Sequence, residues 1–270
     1  MPRSSSTPVP LPQGLLNDLL SRGRLLLFLD YDGTLAPIVN DPKNAWPVPK
    51  ARKALALLAS HRDRLGIAIV SGRDLPELHR LLGIDGGIYL AGVHGLEIED
   101  PGGQLATAQG VEHALNEIGR VRKWLEHNIS PDNGFVIEDK RFSIALHYRN
   151  AERAVARRAA GEFTRFVASE TDGLILKRGK MVIEAAPVAA DKGEAVRQIM
   201  GRFAPGFTPV YFGDDLTDED AFRALQGRGI TVIVGDIGPT AAEYWVESPQ
   251  AVGDMLAGMA ATLDAANPPQ

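Results

Sequence analysis

The chain has 270 residues, 44% of them hydrophobic, enough for one large domain or two modest ones. Its 29 basic and 34 acidic residues are spread along the sequence for a net charge of −5, and no basic tract marks a nucleic-acid or membrane-surface partner. With no cysteine, disulfides, thiolate chemistry and cysteine-held metals are excluded; with no apolar stretch near the ~18 residues of a membrane span, a soluble cytoplasmic protein is expected.

Residues 1–14, "MPRSSSTPVPLPQG", are rich in Pro and Ser and lack the apolar centre of a secretory signal, so they read as a flexible leader. Residues 25–29 are five apolar residues in a row, ended by Asp30. Similar runs recur at 66–70, 87–92, 209–215 and 230–235, the signature of strands buried on both faces of a parallel sheet. Between them lie helical patterns. Over 49–62, Ala51, Leu55 and Leu58 share a face; over 74–83, Leu75, Leu78, Leu81 and Leu82 do so, with Gly83 suited to a C-cap.

The middle of the chain changes rhythm to helix, strand, strand, helix, strand, strand. Val111, Leu115, Ile118, Val121 and Leu125 form one apolar stripe. In the strand that follows, alternation puts Phe142, Ile144, Leu146 and Tyr148 on one face and Arg141, Ser143, Ala145, His147 and Arg149 on the other. A second helix is expected over about 151–168, then a hairpin turning near "KRGK". The expected fold is therefore α/β: a doubly wound, mainly parallel, Rossmann-like core of 15–105 and 187–270, with an inserted α+β cap (αββαββ) of 106–186.

Three polar signatures stand at the C-terminal ends of core strands: "DYDGT" at 30–34, "VSGR" at 70–73 and "GDDLTDED" at 213–220. Ligands of open parallel sheets bind at those ends. Asp30, Asp32, Asp214, Asp215 and Asp218 can therefore converge there, where mutual repulsion calls for a hard cation such as Mg²⁺. Taken singly, each of these acids also fits a turn or a helix cap. Lys192, opening a helix behind Asp191, also fits a solvated surface position, although a lysine in the first turn opposes the helix dipole.

The ordered series DxDGT, Ser-Gly, Lys and GDDxxD resembles the haloacid-dehalogenase-type phosphatases from about residue 24 to 255. The resemblance implies that Asp30 is a nucleophile toward phosphorus, Asp32 the general acid and base, Ser71 a phosphate hydrogen-bonding group and Lys192 a charge neutraliser. It also implies Mg²⁺ held by Asp30, Asp214 and the Asp32 backbone carbonyl, with Asp215 and Asp218 in support. "GVHGLEIE", "HYR", "GKMVIEAAP" and above all "GDDLTDEDAF" further resemble the trehalose-6-phosphate phosphatase family, with Val93 departing from the small or polar residue expected there. By that resemblance the substrate is a sugar phosphate. Glu138, Arg149, Lys180 and Glu184 would contact it from the cap, and Gly72, Arg73, His94 and Glu97 from the core. Lys180 and Glu184, four apart, are expected on one strand face. On pattern alone, Arg149, Lys180 and Glu184 equally suit an ordinary solvated face, and His94 a structural turn. A phosphatase of another sugar phosphate, such as sucrose 6-phosphate, and a non-catalytic sugar-phosphate sensor are the competing readings; the sequence allows a monomer.

Overall fold

The computed structural model describes residues 7–266 apart from 109, 180, 204 and 205. In chain order, the first elements are β1 (Val9–Pro10), α1 (Leu15–Arg22), β2 (Arg24–Leu29), α2 (Pro49–Leu58), β3 (Leu65–Val70), α3 (Leu75–Leu82), β4 (Tyr89–Gly92), β5 (Glu97–Glu99) and β6 (Leu105–Thr107). The middle holds α4 (Val111–Asn128), β7 (Val136–Lys140), β8 (Ser143–His147), α5 (Arg153–Glu170), β9 (Leu174–Gly179) and β10 (Val182–Pro187). The last third holds α6 (Lys192–Met200), β11 (Phe207–Gly213), α7 (Asp218–Leu225), β12 (Ile230–Val234), β13 (Tyr244–Val246) and α8 (Pro249–Ala266).

Two compact units result. The larger is drawn from the described residues up to Ala106 and from Asp191 onward; the smaller is Thr107–Ala190. The larger unit carries a nine-stranded sheet of order β1-β13-β12-β11-β2-β3-β4-β5-β6. Neighbours run parallel from β1 to β4, and β5 turns antiparallel. The unbroken apolar run of β2 is explained by its two neighbours of opposite side. Leu25, Leu27 and Leu29 enter the cluster that contains Leu55 and Leu58 of α2, Leu78 of α3, and Leu256 and Met259 of α8. Leu26 and Phe28 enter the other, with Val196 and Ile199 of α6 and Phe222 of α7. At roughly 1.5–3 kcal/mol per buried side chain of this size, the alternation fixes the strand's register as well as its burial. Helix α3 begins where Asp74 Oδ1 accepts the Glu77 N–H at 2.9 Å, and it ends on Gly83 at φ 59°, as the sequence pattern predicts.

The smaller unit is an antiparallel sheet of order β7-β8-β10-β9. One of its faces packs on α4 and α5 through Ile144, Leu146, Ile183, Val121, Leu125 and Phe163. The Trp124 ring stacks on Phe166 at 5.0 Å between centroids, joining the two helices. The register places Glu138, Ala145, Glu184 and Lys177 in one row across the opposite face.

Two expectations are adjusted. Within the expected leader, Val9 and Pro10 pair with Tyr244 and Trp245, and Leu11 is buried, because β13 offers an open edge to a short extended segment. The smaller unit runs on past 186, since Ala186 and Pro187 still pair with Ile175 and Leu174. Strand β10 starts at Val182, and Lys180, expected on one strand face with Glu184, lies outside the described residues. Helices α1 and α8 and strand β13 were not anticipated. No helix among the described residues is long and apolar enough to cross a membrane.

Candidate active site

Asp30, Ser71 and Asp214 each follow the last residue of β2, β3 and β11, three adjacent strands of the sheet. The pairing of Leu29 with Phe212 on one side and Ile69 on the other brings these ends level, and the Asp30 N–H donates to the Phe212 carbonyl at 2.9 Å. Helix α6 presents its first residue to the same place. The Lys192 Nζ donates to Asp30 Oδ1 at 2.7 Å and to Asp218 Oδ1 at 2.8 Å, and all three side chains are buried. Burial alone would lower the lysine's pKa, but the Asp30 and Asp218 carboxylates more than reverse that and hold the ammonium charged.

Asp218 is saturated. Its Oδ1 accepts from Lys192 and from the Tyr211 hydroxyl at 2.6 Å, and its Oδ2 from the N–H groups of Asp214 and Asp215 at 3.0 and 3.1 Å. Four donors occupy the lone-pair sites of one carboxylate, so Asp218 acts as a buttress that aims the lysine and the loop after β11. Tyr211 escaped the sequence reading. The available signal was a tyrosine hydroxyl within the apolar stretch 209–213 of β11, which requires a buried partner.

Asp30 and Asp214 behave differently. Burial first, and then the charges of Asp218 and Asp214, push the Asp30 carboxyl well above the usual range against the pull of Lys192. Burial, Asp218 and Asp215 push Asp214 up to about 7. Asp215 moves the other way: burial would raise it, but Lys192 and the Thr217 hydroxyl hold it low. One ammonium thus serves several carboxylates, an excess of negative charge that a cation would relieve. Carboxylate oxygens of Asp30, Asp214 and Asp218 lie within 4.8 Å of one another. With Asp218 already saturated, Asp30 and Asp214 are the residues that can hold a metal, and an all-oxygen donor set suits a hard one. Gly33 makes room for this: at φ 80°, a Cβ there would sit 1.9 Å from Asp214 Oδ2. The glycine of DxDGT is therefore a cradle for Asp214 as well as a turn former.

Asp32, two residues on from Asp30, has a separate partner. Its carboxylate takes two hydrogen bonds from Arg73, from Nε and Nη2, both at 2.7 Å. Ser71 Oγ accepts the Arg73 N–H at 3.1 Å, and the Ser71 carbonyl accepts the His94 N–H at 2.7 Å. His94 lies over Gly72, where a Cβ would come within 2.8 Å of its ring. Both Val93 (φ 49°) and His94 (φ 56°) are left-handed, an uncommon conformation for a β-branched residue and one that stores strain beside the site. That conformation explains why a small or polar residue is the expectation at Val93. Glu97 is fully buried on β5.

On the smaller unit, Glu138 pairs with His147 at 2.9 Å, and Glu184 accepts from the Ser143 hydroxyl at 2.5 Å and from Lys140 at 3.2 Å. Burial would raise Glu184, but Ser143 and Lys140 hold it below its ordinary value. Arg149 is exposed just beyond β8.

The sequence model of the trehalose-phosphatase family matches residues 28–246. The chain belongs to the trehalose-phosphatase family. The trehalose-phosphate phosphatase of Mycobacterium marinum is 37% identical over 259 residues, covering 91% of this chain and 64% of that protein. That of Mycobacterium avium is 36% identical over 256 residues, covering 88% and 62%. The chain therefore spans less than two thirds of the length of these curated relatives. Solved structures of family members superpose over almost all of it. Aspergillus fumigatus trehalose-6-phosphate phosphatase gives a TM-score of 0.73 at 28% identity, covering 95% of this chain and 100% of that one. The C-terminal domain of the Candida albicans enzyme gives 0.73 at 26%, covering 96% and 99%. The trehalose-phosphatase fold, of haloacid-dehalogenase type, is thus the fold of this chain.

Proposed function

We propose that the chain hydrolyses trehalose 6-phosphate to trehalose and inorganic phosphate by way of a phosphorylated Asp30. The observation that carries this reading is the buried Asp30 at the end of β2, with the Lys192 ammonium 2.7 Å from its Oδ1. A carboxylate held in place beside a fixed cation suits attack on a phosphoryl group, where positioning and charge neutralisation supply most of the rate.

In the first step an Asp30 oxygen forms a bond to phosphorus while the bond from phosphorus to the sugar oxygen breaks. Asp32, carrying a proton at that stage, gives it to the departing oxygen. In the second step Asp32 takes a proton from water as the water oxygen attacks phosphorus, and the Asp30–phosphorus bond breaks to restore the carboxylate. Ser71 hydrogen-bonds the phosphoryl oxygens, and Lys192 favours the ionised form of Asp30 against its burial and offsets their charge. A divalent cation, Mg²⁺ in this reading, held by Asp30, Asp214 and the Asp32 carbonyl, would neutralise phosphate charge when bound. Asp215 and Asp218 keep the loop after β11 in place through the bonds described above. Glu138, Arg149, Lys180 and Glu184, with His94 and Glu97, are assigned to the sugar hydroxyls, which acidic and cationic side chains recognise by paired hydrogen bonds.

The test is phosphate release from trehalose 6-phosphate, sucrose 6-phosphate, glucose 6-phosphate and mannose 6-phosphate, with and without Mg²⁺. Release from the trehalose ester is expected to exceed the others at least tenfold in kcat/KM and to require the cation. Equal rates across the panel would remove the substrate assignment, and unchanged turnover in Asp30→Asn would remove the nucleophile.

A further inference from the structure

We infer that Arg73, by its sequence position a candidate substrate contact, is instead the positioning residue that sets the orientation of the Asp32 carboxylate. The inference rests on the reading of Asp32 as the group that moves the proton. Its basis is geometric. The Arg73 fork meets Asp32 with two parallel bonds, Nε to Oδ2 and Nη2 to Oδ1, each 2.7 Å long. Its remaining arm, Nη1, donates to Glu77 Oε1 at 2.6 Å. Three of the five guanidinium N–H groups are therefore committed to protein acids.

The guanidinium is also fixed from the side and from behind. It lies over the Tyr31 ring, 5.2 Å from the centroid, and the Tyr31 hydroxyl is tied to the Ala45 carbonyl at 2.7 Å. Its own main chain is held at both ends, the N–H on Ser71 Oγ and the carbonyl by the Val93 N–H. The side chain is only 7% exposed, whereas Asp32 is 42% exposed. An arginine meant to grip an incoming phosphate would present its fork to open space. This one presents it to a half-exposed carboxylate beside the turn that follows β2. A bidentate pair fixes both the position and the plane of that carboxylate, which a lysine's point charge does not do. Asp30 needs no such bracket, because Lys192 and its own burial already hold it.

The test is a double-mutant cycle with Arg73→Gln, Asp32→Asn and the two combined, reading sugar release from trehalose 6-phosphate in a single turnover with enzyme in excess. Arg73→Gln is expected to slow release at least tenfold with the half-saturating enzyme concentration changed by less than about threefold, the cost of a misplaced catalytic group. In the Asp32→Asn background it should change the rate by less than twofold, and Arg73→Lys should restore little, since the fork and not the charge is at issue. A full loss that persists in the Asp32→Asn background, or a loss confined to half-saturation, overturns the inference and returns Arg73 to substrate binding. Should Arg73→Gln fail to fold, Glu77→Gln loosens the same bracket from outside; its smaller loss must likewise vanish when Asp32 is Asn. If the protein takes a different phosphate ester, the substrate reading fails, and the same cycle run on that ester still decides Arg73.

Discussion

Each unit of the molecule holds a lysine between two acids, and the two arrangements could hardly differ more in setting. In the larger unit, Lys192 lies 2.7 and 2.8 Å from Asp30 and Asp218, with side-chain exposures of 3%, 5% and 0%. In the smaller, Lys140 lies 3.2 Å from Glu184 and 3.9 Å from Glu138, with exposures of 48%, 26% and 49%. The same charges are a rigid piece of machinery in one place and a screened, adjustable surface in the other. Under the proposed roles, a nucleophile must be held at a single angle, and burial does that for Asp30. A surface proposed to meet sugar hydroxyls tolerates looser contacts.

The strongest test of this contrast is to remove each lysine. Lys192→Gln should destabilise the fold by about 3–5 kcal/mol, because it strands buried carboxylates, and should reduce kcat by at least a thousandfold. The loss of stability should shrink as pH falls and those acids take up protons, a trend that denaturant titrations at pH 5 and pH 8 would detect. No change in stability would mean that water reaches the site freely.

The second test uses the proton on Asp214. With the carboxyl pushed up to about 7 in the metal-free protein, a cation has to displace a proton below that pH. Apparent Mg²⁺ affinity should therefore fall at least roughly tenfold per unit as pH drops below 7, as read by calorimetry in buffers of differing ionisation heat. The folded-state value lies above the unfolded one, so this group favours the metal-free fold at low pH and loses that contribution as pH rises from about 4 through 7. A pH-independent affinity would remove Asp214 from the metal site.

The smallest effect is expected from Lys140→Gln. A pair this exposed should change stability by less than about 1 kcal/mol, and added salt should erase the difference. A loss comparable to that of Lys192→Gln would show the two clusters to be equivalent and the contrast false.

Much of the larger unit is legible in the sequence. Apolar runs ending in acids mark strands covered on both faces, and β2 shows why: its five leucine and phenylalanine side chains alternate between two clusters. Asp30, Lys192, Asp214 and Asp218 were likewise marked by motif, and all four meet in the structure. What local pattern did not carry was partner choice. Arg73 and Asp32 are 41 residues apart, and no periodicity reveals that the fork turns inward. Tyr211 reads as core until Asp218 is placed beside it. Strands β1 and β13 were missed because each is too short to show alternation; they exist by pairing with each other and with β12.

That short outer strand has a consequence for how copies of the protein meet. Val9 and Leu11 turn their N–H groups inward, to the carbonyls of Glu243 and Trp245. The residue between them, whose N–H would face outward along the sheet's border, is Pro10, and it has none to offer. A second sheet arriving edge-on finds one of the donors it would need missing. A two-residue strand closed by an imino acid thus acts as a selvedge, finishing a long parallel sheet at a margin where it would otherwise extend into its neighbour.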